Sequence, residues 1–151
     1  MAVGSRAENS GWIMFAVQRQ NEPSIIGEVG FFLPQEGPTT GDLGWWLNSD
    51  HQGQGYGAEA VEALVDWCFK VRGLHRLTAH CLASNTASER LMARVGLRLV
   101  TRSVGSRWSA GAWHDEVGYA LLKDDWQARS HPEAVKPRPM PAQDHERPQD
   151  M

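Results

Sequence analysis

Residues 41–60 read GDLGWWLNSDHQGQGYGAEA. The segment DLGWWLN (42–48) is apolar and aromatic and reads as a strand. From Gly55 to about Arg72 a helical pattern follows: Val61, Leu64, Val65, Cys68 and Phe69 recur on one side, with Glu59, Glu62, Asp66 and Lys70 facing outward. Between them lie Gly53, Gly55 and Gly57, three glycines in five positions. So many glycines cost backbone entropy, and they suit a loop in which a ligand must approach the chain closely. Alternating glycine lets successive N–H groups converge on one point, and the helix that follows adds about half a positive charge at its start. The expected result is a cradle for phosphate that needs no lysine.

Working outward, WIMFAVQ (12–18) and SIIGEVGFFL (24–33) are β-branched and aromatic runs around the turn Gln20-Asn21-Glu22-Pro23, a hairpin signal. Gly27 and Gly30 in the second run suggest a bulge or a close backbone approach. Pro34 to Gly41 reads as a loop. Past the long helix, Gly73 is the stop and HRLTAHCL (75–82) alternates as a strand. A second helix is expected from Asn85 to Val95, with Asn85 or Ser84 as cap, a buried row at Ser88, Leu91, Met92 and Val95, and Gly96 as its end. LRLVTRSV (97–104) and HDEVGYALL (114–122) read as closing antiparallel strands around a loop from Gly105 to Ala112. The order β-β-β-α-β-α-β-β predicts an α+β fold. Its sheet is mixed and mostly antiparallel, with one central parallel β-α-β crossover.

The whole chain has 151 residues, 41% hydrophobic and 22% charged, which suits one globular domain. Fifteen Lys and Arg stand against 18 Asp and Glu, a net charge of −3, so no global positive field gathers nucleic acid or anionic lipid. No run approaches the roughly 20 apolar residues of a membrane span, and no export signal is visible. Cys68 and Cys81 match neither a disulfide framework nor a zinc spacing. They read as small core residues of a reducing compartment, and the expectation is a cytoplasmic protein without a metal. Residues 1–11 read as a flexible start, 12–126 as the ordered domain, and 127–151 as a disordered tail holding five of the eight prolines.

The glycine loop admits three readings. A Walker motif is excluded because no Gly-Lys-Ser/Thr follows. Gly53-x-Gly55-x-x-Ala58 fits a dinucleotide fingerprint, but the strand ending at Cys81-Leu82-Ala83 lacks the acid that would hold a ribose. The third reading is Gln52-x-x-Gly55-x-Gly57, the Gln/Arg-x-x-Gly-x-Gly/Ala pyrophosphate loop of the GCN5-related N-acetyltransferases. Residues 41–60 resemble the strand-loop-helix of the RimJ/RimL-type branch of that superfamily. Asn85-Thr86-Ala87-Ser88 with Leu91 and Val95-Gly96-Leu97, and His114-Asp115 through Tyr119-Ala120-Leu121-Leu122 to Asp125-Trp126, resemble two further segments of the same branch. The likeness covers about residues 24–126.

This resemblance implies an acyl-CoA N-acyltransferase-like fold and transfer of acetyl from acetyl-CoA to a primary amine by direct attack. The acceptor would be a protein N-terminus, a polyamine or a small amine. By family position Gln52, Gly53, Gln54, Gly55, Tyr56 and Gly57 would bind the pyrophosphate. Trp45, Trp46 and Leu47 would pair with the pantetheine arm like an added strand, and Asn85 would hydrogen-bond it. Ser88 is the expected partner of the leaving sulfur, although it also fits the buried helical row as a structural serine. Asp42 stands where the family often has a glutamate base, with His114 and Asp115 as alternatives and His51 as loop. The resemblance also implies a further strand and a helix pair walling the acceptor site, and no counterpart is visible before Trp12. A second subunit is therefore expected to cover the gap, giving a homodimer. The reading from another class is a catalytically idle CoA-binding or assembly module.

Overall fold

Alternation of apolar and polar residues gives the sheet its two faces. In the computed structural model, which describes residues 11–34 and 39–130, Val29, Phe31 and Leu33 of strand β2 (Ile25–Leu33) are buried, while Glu28 and Phe32 remain accessible on the other side. Strand β1 (Gly11–Gln18) pairs antiparallel with β2, and β3 (Thr40–Leu47) flanks β2 antiparallel on its far side. Helix α1 (Tyr56–Lys70) then carries the chain back so that β4 (Arg76–Leu82) runs parallel to β3. Helix α2 (Thr86–Arg94), strands β5 (Arg98–Ser109) and β6 (Ala112–Leu122) and helix α3 (Lys123–Ser130) follow. The spatial order is β1-β2-β3-β4-β6-β5, with β3/β4 the one parallel pairing among the described residues. The expected α+β class with its central crossover is what the chain adopts.

The core lies on the face covered by α1. Val61, Leu64, Val65, Cys68 and Phe69 are buried, as the helical spacing predicts, and meet Phe31, Leu77 and Val117 of the sheet in one cluster. At roughly 1.5–3 kcal/mol for each large apolar side chain removed from water, this stripe holds α1 more firmly than helix propensity could. Gly27 and Gly30 serve close approach: a Cβ at Gly30 would strike Met14 Sδ and the Ile13 carbonyl, and one at Gly27 the Trp46 carbonyl. A register shift at Val17/Gln18 lies beside Gly27.

Three features differ from expectation. The segment expected as a loop from Gly105 to Ala112 is mostly strand. Ser109 pairs with Ala112 across a two-residue turn whose Ala110 and Gly111 have φ of 50° and 76°, the positive values of a tight hairpin, and Trp108 packs edge-on against Trp113 at 5.4 Å. The ordered chain also runs past Trp126, because α3 continues to Ser130. Arg129 donates to the Val95 carbonyl at 2.6 Å and so closes the end of α2. On α2 itself Met92 and Val95 are buried, whereas Ser88 and Leu91 of the expected row are half-buried, since they border a cleft. The expected flexible start falls outside the described residues except for Gly11, which opens β1. Of the expected tail, only 127–130 fall inside.

Candidate active site

β3 and β4 keep register through four pairs, from Thr40↔Arg76 to Leu43↔Ala79. Beyond that β3 stays with β2 as far as Leu47↔Gly27, while β4 stays with β6 as far as Leu82↔Glu116. The two strands therefore part, and a wedge-shaped gap opens in the middle of the sheet. The Asn48 N–H donates to the Ile26 carbonyl at 2.7 Å. Backbone groups alternate sides along a strand, so Gly44 and Trp46 bond toward β2 while Trp45 and Leu47 turn theirs into the gap. Gln52 confirms that phase by donating its side-chain amide to the Leu47 carbonyl at 2.9 Å. The glutamine thus ties the glycine loop to the open strand edge.

That loop is held open by its glycines. Gly53 and Gly55 have φ of 75° and 85°, values a side chain rarely adopts, and Gly55 caps α1 without any side-chain hydrogen bond. The first backbone bond of α1 is Glu59 N–H to Gly55 C=O. The N–H groups of Tyr56, Gly57 and Ala58 are accordingly the orphan donors of a helix start. Gly57 is different: its φ is ordinary, and a Cβ there would sit 3.2 Å from Leu91 Cδ1 on α2, a tight contact with the end of a side chain.

Gap and loop form one cleft of about 610 Å³, which Trp45, Trp46, Leu47, Gln52, Gly53, Gly55, Gly57, Asn85 and Ser88 line together. The side chains of Gln54 and Tyr56 turn away from it. Gln54 turns back to the Asp50 carbonyl at 3.4 Å. The Tyr56 ring lies under the Arg19 guanidinium at 5.1 Å, with His51 at 6.4 Å. Trp46 borders the cleft while its indole N–H bonds Glu28 at 2.9 Å. Arg90 and Arg94 were not foreseen. Four residues apart on α2, they share one helix face and add two positive charges to the lining of the cleft, and Arg94 lies 3.9 Å from where a Gly55 Cβ would be. Their spacing was readable in the sequence; their approach to the loop was not.

A second hollow of about 350 Å³ shares Trp45, Asn85 and Ser88 with the cleft and reaches His80, Arg107 and Ser109. Asn85 Oδ1 accepts the Ser88 N–H at 3.1 Å, the cap expected of it, and this fixes Ser88 on the first turn of α2 between the two spaces. Asp42 stands at the point of the wedge. Its Oδ1 accepts from Thr78 Oγ at 2.7 Å and lies 3.1 Å from His80 Nδ1. His80 escaped the sequence reading altogether. His114 and Asp115 line neither space: His114 Nε2 lies 2.9 Å from the Ser109 carbonyl, and Asp115 accepts from the Gly105 N–H at 2.9 Å and Arg102 at 3.1 Å. Those two bonds hold the Asp115 carboxyl below its ordinary range. Cys81 borders the hollow, but burial, then the Glu89 and Glu116 charges, push its thiol up, which makes it a poor nucleophile.

An open strand edge that ends on unsatisfied amides and two arginines defines a protein able to lay out a long, phosphate-ended ligand between two strands. A family model described as the acetyltransferase (GNAT) domain matches residues 2–98. The chain belongs to that family. It is 33% identical over 112 residues to the uncharacterized N-acetyltransferase YnaD of Bacillus subtilis, an overlap covering 74% of this chain and 65% of that protein. The ribosomal-protein-serine acetyltransferase of Escherichia coli is 30% identical over 111 residues, covering 74% and 61%. The crystal structure of ribosomal-protein-S5-alanine acetyltransferase from Vibrio fischeri superposes with a TM-score of 0.70 at 31% identity, covering 76% and 63%. The chain thus spans less than two thirds of the length of these three proteins.

Proposed function

We propose that this chain is an acetyl-CoA-dependent N-acetyltransferase that passes the acetyl group to a primary amine by direct attack. The observation that carries the reading is the parting of β3 from β4 beside a glycine loop that leads into the orphan N–H donors of the α1 start. The residues fit the cosubstrate. The amides of Gly53 to Ala58, with Arg90 and Arg94, would meet the diphosphate, and the Trp45 and Leu47 edge would pair with the pantetheine arm as an added strand. A gap-facing N–H of that edge suits the carbonyl oxygen on which charge grows during transfer. Ser88, whose Oγ has no protein partner among the described residues, suits the departing sulfur. Asp42 supplies negative charge at the other end of the gap, where the amine must lose a proton.

The names of the two ribosomal-protein acetyltransferases favour a peptide N-terminus as acceptor, with a small amine as the other class. We place the protein in the cytoplasm because both thiols are free and buried; among the described residues no helix is long and apolar enough to cross a membrane. A catalytically idle module finds no support in a site that keeps Ser88 and Asp42 at the gap. Calorimetry with acetyl-CoA is the test. Wild type should bind. Gly55→Glu, which sets a charge against the phosphates, should abolish binding. Arg94→Ala, a surface change that leaves the fold alone, should weaken it about tenfold, the scale of one charge-assisted hydrogen bond. Unchanged affinity in both variants would remove the loop from the site.

A further inference from the structure

His80 lies on β4, facing the side of the sheet away from α1, with its side chain 44% exposed. Its Nδ1 is 3.1 Å from Asp42 Oδ1, which Thr78 also binds and so orients. A carboxylate only accepts hydrogen bonds, so in the neutral ring Nδ1 carries the proton and Nε2 keeps its lone pair. Nε2 has no protein partner among the described residues. A glycine makes room for the ring: a Cβ at Gly118 of β6 would stand 3.0 Å from His80 Cδ2 and 3.1 Å from Nε2, and would also strike Thr101 Oγ1. The ring is therefore held on one edge by Asp42 and seated over a bare backbone. Its residue lines the hollow that Ser88 shares with the main cleft.

Resting on the acetyltransfer reading above, we propose that His80 Nε2 takes the proton from the attacking amine and that Asp42 is its positioning residue. The amine enters as its neutral form after one proton has gone to solvent. As its nitrogen forms the bond to the thioester carbonyl carbon, its second proton passes to Nε2. The carbon–sulfur bond breaks with its electron pair on sulfur, which accepts a hydrogen bond from Ser88 and a proton from solvent. His80 afterwards returns its proton to water, and the products are the N-acetyl amide and the free thiol. An imidazole suits such work at neutral pH, and Asp42 holds the tautomer as the carboxylate of a hydrolytic triad does. The ionisable groups on the same face include Asp42 on β3, Glu116 on β6 and Arg107 on β5, the last two paired at 3.0 Å, with Arg76 on β4 and Glu28 on β2.

Two measurements on the full chain test this. Long-range proton–nitrogen spectra should show His80 protonated on Nδ1, against the usual preference of free histidine for Nε2, and Asp42→Ala should reverse it. An Nε2-protonated His80 in wild type overturns the proposal whether or not an acceptor is found. With spermidine and peptides bearing N-terminal alanine or serine as probes, His80→Gln should cut kcat/KM about 10²-fold through kcat, with acetyl-CoA affinity by calorimetry unchanged. Wild-type turnover in that variant also overturns it. A wild type that fails to bind acetyl-CoA would instead bring down the underlying reading, a result the calorimetry separates from the other two.

Discussion

Cys68 shows what one buried residue can tell. It has no exposed surface, and burial pushes its thiol up to about 12, with Arg72 pulling weakly the other way. Cys81 moves in the same direction. Since the thiolate is the reactive form, neither should react with a disulfide reagent in native protein at pH 8, and both should appear after unfolding in guanidinium. A fast native thiol would contradict the packing of α1 or β4. At this scale the sequence was informative where a residue acts alone. Gly53 and Gly55 announced a loop open to close approach, Asn85 its cap, and the two cysteines their burial. It was silent where a residue acts through a partner. His80 looked like one polar residue of an alternating strand, and only the pairing Asp42↔Thr78 brings residues 38 positions apart to hydrogen-bonding distance.

Elements were legible wherever periodicity or a stop signal spoke. α1 carries its apolar stripe and α2 its asparagine cap and glycine stop, and both appear within two residues of expectation at either end. The β5–β6 hairpin extends further than expected and α3 was not expected at all, because each depends on pairing or packing partners rather than on a periodicity of its own. β5 extends because β6 pairs with it and Asp115 ties its bulge through Gly105 and Arg102. Helix α3 is polar and little favoured by its own composition. It is held by Trp126, which is 9% exposed, packs on Phe69 at 5.2 Å and donates to Asp66 at 2.8 Å, both on α1. Trp126→Ala should therefore cost about 3–5 kcal/mol by urea unfolding and free the α3 amides to hydrogen exchange. A loss below about 1 kcal/mol, the range of surface changes, would show that α3 is not part of the core.

Across the whole molecule, the two faces of the sheet are unequal. One is sealed by α1. On the other, Trp12 and Trp46 are each 52% exposed, and Phe32 meets Trp12 edge-on at 5.6 Å. Apolar surface of this kind invites a partner, and we propose that a second copy of the chain covers it. Light scattering behind size exclusion should then give twice the mass of one chain, falling to one chain when Trp12 and Trp46 are both changed to Ser. A monomer at micromolar concentration would refute the dimer and leave the cleft untouched. By itself the sequence determined the order of the six strands and of α1 and α2, the parallel crossover, the glycine loop and the face that α1 buries, because these follow from local backbone preference and from apolar period. Only the tertiary structure decided where β3 and β4 part, how Arg90 and Arg94 meet the loop, and that Asp42 holds His80. Each of those depends on the register between segments distant in the chain, and register is set by packing across the core rather than by any residue's own preference.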